Sequence, residues 1–193
     1  QKALAGPAFV LLLEEEDAGL RQLAIRGIEA TAHEAALLPL IELLEHEDLL
    51  IRADAVRALG SFSMVPSEYA GLILSLCSDS DAAVRISATM ALAALKPDDS
   101  LPTLEKALQD SNWAVQDVAV EILAKMHSIP AVRLLAAHMQ NATGLVRYET
   151  YERLKLLTGQ DFGPSKGAWD AWMADRGEDY ELPDEATARQ MLA

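Results

Sequence analysis

Asp81-Ala82-Ala83-Val84-Arg85-Ile86-Ser87-Ala88-Thr89-Met90-Ala91-Leu92 is the stretch of this 193-residue chain whose reading decides the fold. An acidic residue able to cap a helix is followed by Val84, Ala88 and Leu92, four residues apart, which share one stripe of an α-helix. The small residue in the middle of the stripe admits a second helix at close range. Arg85 stands beside the stripe.

The same phrase recurs on either side. Arg21, Arg52, Arg85, Gln116 and Arg147 form a column with spacings of 31, 33, 31 and 31 residues. One position before the column stand Leu20, Ile51, Val84, Val115 and Val146. Three after it come Ala24, Ala55, Ala88, Ala119 and Thr150, and seven after it Ile28, Leu59, Leu92, Leu123 and Leu154. Four before it are Asp17, Asp48, Asp81, Asn112 and Thr143, all side chains that accept hydrogen bonds from the free N–H groups of a helix start. This helix is designated B.

Upstream, offsets −12, −9 and −8 read Phe9, Leu12, Leu13; Leu40, Leu43, Leu44; Ile73, Leu76, Cys77; Leu104, Ala107, Leu108; and Leu135, His138, Met139. This i, i+3, i+4 apolar face defines a helix A in each copy. Pro39, Pro102 and Pro130 fall early in helix A, where a missing N–H costs little. Joints are expected at 31–33, at Gly60-Ser61-Phe62-Ser63, at Lys96-Pro97-Asp98-Asp99 and at 127–128. A single A/B pair cannot bury its apolar side, whereas stacked pairs share one interior. The expected fold is all-α: a right-handed α-solenoid of about five hairpins (3–30, 35–61, 67–95, 99–127 and 129–157), filling 1–157, with a helical cap and acidic tail over 158–193.

The pattern Asp-x-x-Val-Arg-x-x-Ala-x-x-x-Leu resembles the second helix of HEAT repeats, as in Asp48-Leu49-Leu50-Ile51-Arg52 through Leu59 and again from Asp81 through Leu92. The fourth copy departs from it at Asn112 and Gln116. The resemblance implies a scaffold or adaptor. The later segment Leu157-Thr158-Gly159-Gln160-Asp161-Phe162-Gly163, with Trp169-x-x-Trp172, is similar to a closing segment of some bacterial HEAT-repeat proteins. Physically it reads as a cap. Gly159 ends the last helix B in the left-handed conformation, Phe162, Trp169 and Trp172 cover the end of the stack, and the tail is weakly ordered or forms a short helix after Pro183.

Composition agrees. Apolar residues make up 51% and aromatics 5%, so the apolar content is mostly Ala and Leu, which favour helices. The net charge of −14 opposes binding to phosphate backbones and anionic membranes, and leaves a protein or peptide partner, either of basic character or an ordinary one met through a local patch. No stretch is long enough to insert in a membrane. Cys77, the one cysteine, sits in an apolar run and reads as a small core residue, so no intrachain disulfide forms. The chain opens on Gln1, which implies that residues were removed ahead of it. Location is then cytoplasmic, or exported if the removed piece was a signal sequence.

No catalytic, cofactor or metal residue is assigned. His33-Glu34 is similar to the iron-binding pairs of HEAT-like deoxyhypusine hydroxylases, but stands once and in a joint, and His46, His127 and His138 share no ligand spacing. The candidate site is the concave surface lined by helix B. At offsets +1 and +5 it offers Arg26, Arg57, Ile86, Met90, Glu121, Tyr148 and Glu152: basic, then apolar, then acidic. The expected function is a protein-interaction scaffold, monomeric or weakly dimeric, gripping an extended segment or helix of opposite charge. The alternatives are a non-catalytic domain of a larger protein, or a HEAT-like lyase or hydroxylase.

Overall fold

The computed structural model describes residues 2–62, 65–95 and 100–193. Ser63 and the joint at Lys96 to Asp99 lie outside the described residues. Among the described residues there is no strand. Twelve α-helices follow one another: α1 (Lys2–Leu12), α2 (Ala18–Thr31), α3 (Leu37–Glu42), α4 (Leu49–Leu59), α5 (Ser67–Leu76), α6 (Ala82–Leu95), α7 (Ser100–Ala107), α8 (Trp113–Met126), α9 (Ile129–Asn141), α10 (Gly144–Thr158), α11 (Lys166–Ala174) and α12 (Glu185–Met191). The even-numbered helices up to α10 are the five B helices, and the odd-numbered ones up to α9 their A partners. Helix α3 is short because 3₁₀ turns flank it at Glu34–Ala36 and Leu43–Glu45.

The helices fall into two compact units, Gln1–Ser100 and Leu101–Ala193. In the first, α2 lies against α1 and α4, and α4 lies against α6, so the B helices stack in chain order. In the second, α8 lies against α10, and α9 lies against both. The stripe read from the sequence is the interior of these stacks. Ala24, Ala55, Ala88, Ala119 and Thr150 are all fully buried, and so are Ile28, Leu59, Leu92, Leu123 and Leu154 to within 2%. Burying one such Leu or Ile contributes about 1.5–3 kcal/mol. Thr150 is tolerated because its hydroxyl donates to the Val146 carbonyl at 2.7 Å. Leu20 is the exception, 42% exposed, since α2 has a B-helix neighbour on one side only.

The caps follow the expectation in four copies of five. Asp17, Asp48, Asp81 and Asn112 each accept a backbone N–H of the following turn at 2.8–2.9 Å. Thr143 does not cap α10 through its side chain. Pro39, Pro102 and Pro130 lie in the first turn of α3, α7 and α9. Cys77 is buried, as a core residue.

The C-terminal segment forms a sixth, reduced hairpin. Helix α11 lies on α9 and α12 on α10, repeating the A-on-A and B-on-B arrangement. Trp169 is fully buried, meets Phe162 edge-on at 5.0 Å, and donates its indole N–H to the Gly163 carbonyl at 2.9 Å. Trp172 follows at 6.5 Å from Trp169, and the Arg176 guanidinium lies 4.3 Å from its ring. Gly159 ends α10 at φ 65°, its N–H returning to the Lys155 carbonyl at 2.8 Å. Of the two expectations for the tail, the short helix is the one found. Helix α12 begins at the Asp184 cap and buries Ala188.

Candidate interaction site

The polar column beside the core stripe has a structural task in four copies. Each side chain folds back onto the turn that precedes its own helix. Arg21 donates to the Glu15 carbonyl at 2.6 Å, Arg52 to that of His46 at 2.6 Å, Arg85 to that of Asp79 at 2.9 Å, and Gln116 to that of Asp110 at 2.6 Å. The acceptor stands six residues earlier in every case. Three of these acceptor residues also brace the turn through their side chains. His46 Nδ1, Asp79 Oδ1 and Asp110 Oδ1 each accept the N–H two residues on, at 2.8–2.9 Å. Two of them reach across to the preceding repeat: Arg21 lies 3.0 Å from His46 Nε2, and Arg52 lies 3.4 Å from Asp79. Burial alone would raise the Asp79 pKa, but the Asp81 N–H and the Arg52 guanidinium outweigh it and hold the carboxyl below its ordinary value.

This second column (Glu15, His46, Asp79, Asp110, Asn141) was missed by the sequence reading, although it keeps the same register. No apolar periodicity marks it.

The expected site residues divide between the two units. In the first, Arg57 and Met90 line one hollow of about 250 Å³, together with Glu29 and Ser61. Arg57 is not a free cation. Its guanidinium is held at 2.6 Å by Glu29 of the preceding B helix and at 2.6 Å by Asp54. Burial opposes its charge, but the Asp54 hydrogen bond and the two carboxylates overcome this and raise its pKa further. Met90 is 49% exposed, Ile86 half-buried, and Arg26 exposed with no ion pair among the described residues.

In the second unit Glu121 is exposed and accepts from Lys125 at 2.6 Å, and Glu152 pairs with Lys155 at 3.1 Å. Glu121 is held below its ordinary pKa by the Lys125 hydrogen bond, with Arg153 contributing. Between α8 and α10, the neighbouring Asp117 carboxyl raises the Glu149 pKa, and Arg153 pulls the other way. Tyr148, exposed, borders a hollow of about 230 Å³ with Arg147 and Tyr151. Neither Glu29, Asp54 nor Glu149 is legible as a partner from the repeat pattern, because offsets from the column say which face a residue occupies and not what it meets there.

A larger polar hollow of about 470 Å³ lies beside α9, lined among others by Glu105, Gln116, His138 and Asn141. His138, where the first three copies carry leucine at offset −9, is part of its wall. His138 is buried, its Nε2 has no hydrogen-bond partner among the described residues, and burial lowers its pKa. Among the described residues no group of three or more His, Cys, Asp or Glu is placed to hold a metal, and no helix is long and apolar enough to cross a membrane.

Repeating hairpins with buried stripes and braced turns define an α-helical repeat fold of the solenoid class. The HEAT repeats family model matches residues 6–73 and 69–155, most of the chain, and the chain belongs to the HEAT-repeat family. Two crystal structures of engineered proteins are similar to it. One is 22% identical with a TM-score of 0.58, covering 79% of this chain and 78% of its own. The other is 19% identical with a TM-score of 0.58, covering 96% and 94%. At those identities the likeness shows the fold. No curated protein matches the chain.

Proposed function

We propose that this HEAT-repeat protein is a non-catalytic scaffold that binds a protein or peptide partner through side chains on its B helices. The observation that carries the reading is the exposure of Met90 (49%) and Tyr148 (61%) on B helices, at the offsets that also carry Arg26, Glu121 and Glu152. A large apolar side chain left in water among charges is the composition of a binding patch with an anchor and a polar rim. The family supports the same reading, since HEAT repeats serve in general as protein-interaction scaffolds.

Charge divides the work between the units. Arg26 offers an exposed cation to an acidic stretch of the partner in the first unit. Glu121 and Glu152, each already sharing its charge with a lysine of its own helix, offer carboxylates to a basic stretch in the second. Rim charges of this kind act on association rate and salt dependence more than on residence time. The test is quantitative capture of partners from a lysate by wild type, Arg26→Glu, Glu121→Lys and Met90→Ser, followed by titration of the recovered partner at two salt concentrations. The charge variants are expected to lower affinity several-fold and to change its salt slope, and Met90→Ser to speed dissociation. Equal affinity and equal salt slope in all four proteins would sink the reading.

A further inference from the structure

Arg147 is the member of the polar column that does not fold back. In the other four copies the residue six positions earlier lies in a turn beyond helix A, and its carbonyl receives the column side chain. In the fifth copy that residue is Asn141, still inside α9, and only Ala142 and Thr143 separate α9 from α10. Among the described residues no hydrogen bond joins Arg147 to the Asn141 carbonyl. Among the described residues the Arg147 guanidinium has no hydrogen bond and no ion pair, although it is half-buried.

What surrounds it is a hollow of about 230 Å³ lined by Met139, Gly144, Arg147, Tyr148, Tyr151 and Pro164. Spacings of three and four put Gly144, Arg147, Tyr148 and Tyr151 on one face of the first two turns of α10. The Tyr148 hydroxyl makes no hydrogen bond among the described residues. Thr143 leaves the start of α10 without a side-chain cap, so free N–H groups and the positive end of a 15-residue helix lie at the same place. Gly144, at φ 56° and with nothing within 4 Å of a would-be Cβ, keeps the approach open. The carboxylate near this face, Asp161, is already engaged by the Tyr151 hydroxyl and by Lys155.

We propose that this hollow is a carboxylate-binding site, in which the Arg147 fork takes both oxygens and the Tyr148 hydroxyl and the α10 N-terminus assist. A planar guanidinium matches a carboxylate through two parallel N–H···O bonds, and an ammonium does not. Met139, Pro164 and the tyrosine rings give the aliphatic stem of the ligand an apolar wall. The carboxylate comes either from a small free acid or from an acidic side chain of a bound protein. Overall charge of −14 does not prevent this, because charges more than about 8 Å away are screened at physiological salt.

The test is an NMR titration of the ¹⁵N-arginine and ¹³C-tyrosine labelled protein with sodium acetate, against sodium chloride at equal ionic strength. A second arm uses the blocked dipeptide acetyl-Glu-Glu-amide against acetyl-Gln-Gln-amide. The expected result is saturable movement of the Arg147 Nε–H and Tyr148 ring signals by acetate and by the acidic dipeptide only. Arg147→Lys should weaken it about tenfold or more, and Arg147→Met should abolish it while thermal unfolding is unchanged. Dipeptide affinity at least tenfold above acetate assigns the carboxylate to a protein, and equal affinity assigns it to a small acid. Equal movement by chloride, or acetate shifts that survive Arg147→Met, would overturn the proposal. The titration uses no macromolecular partner, so its failure and that of the scaffold reading are separate events.

Discussion

Arg52 of the second hairpin reaches Asp79 of the third at 3.4 Å, while Asp79 Oδ1 also accepts the Asp81 N–H at 2.8 Å. A carboxylate serves both donors because its oxygens only accept. One hairpin earlier the same place is held by His46, with the Asp48 N–H at 2.9 Å from Nδ1 and Arg21 at 3.0 Å from Nε2. A neutral imidazole has one acceptor nitrogen, so it cannot receive both.

His46→Asp is therefore expected to stabilise the protein, by about 0.5–1 kcal/mol, the scale of a partly exposed charge-assisted bond. Urea unfolding would show it. A double-mutant cycle with Arg21→Met assigns the gain to the ladder: Arg21→Met should cost more in the His46→Asp background than in the wild type. No coupling between the two sites would remove this account of the turn.

Gly159 closes α10 at φ 65°, and a Cβ built there would stand 2.7 Å from Met191 Sδ of α12. Gly159→Ala should destabilise by about 1–2 kcal/mol from left-handed strain, with a further cost from contact with Met191. Adding Met191→Ala should recover the contact and leave the strain. If Gly159→Ala unfolds at the same denaturant concentration as the wild type, the docking of α12 against this turn is wrong.

His138 carries a pH dependence. Its folded pKa lies below 6.5 because burial disfavours the imidazolium. The unfolded chain therefore binds the proton first as pH falls, and stability drops with pH wherever that holds. The stabilising term is whole above about pH 6.5 and is lost progressively below it, until the folded value is passed. In His138→Leu this loss should vanish, so the difference in unfolding free energy between variant and wild type should grow from pH 7.5 to pH 5. A pH-independent difference would contradict it.

The periodic part of the molecule was legible in the chain. Ala24, Ala55, Ala88, Ala119 and Thr150 could be named as the helix-contact column, and Asp48 or Asn112 as caps, because both depend on neighbours within one or two turns. Trp169 and Trp172 announced a cap by their spacing. That their helix α11 lies on α9 did not follow from that spacing. The polar side chains resisted more. Arg57 and Arg147 occupy helix faces that sequence assigns with equal ease, yet one is clamped by Glu29 and Asp54 and the other, among the described residues, stands unpaired beside Tyr148.

Sequence by itself determined the helices, the stripe each buries and the repeat that stacks them, because a 3.6-residue period, a capping side chain and an apolar excess are local properties carried by the chain. Only the tertiary structure decided which charges are paired within the protein and which have no ion pair among the described residues. An ion pair can join residues far apart in the chain, provided the fold brings them within a few ångströms of each other. Where α9 continues through Asn141, Arg147 does not take the role its counterparts hold.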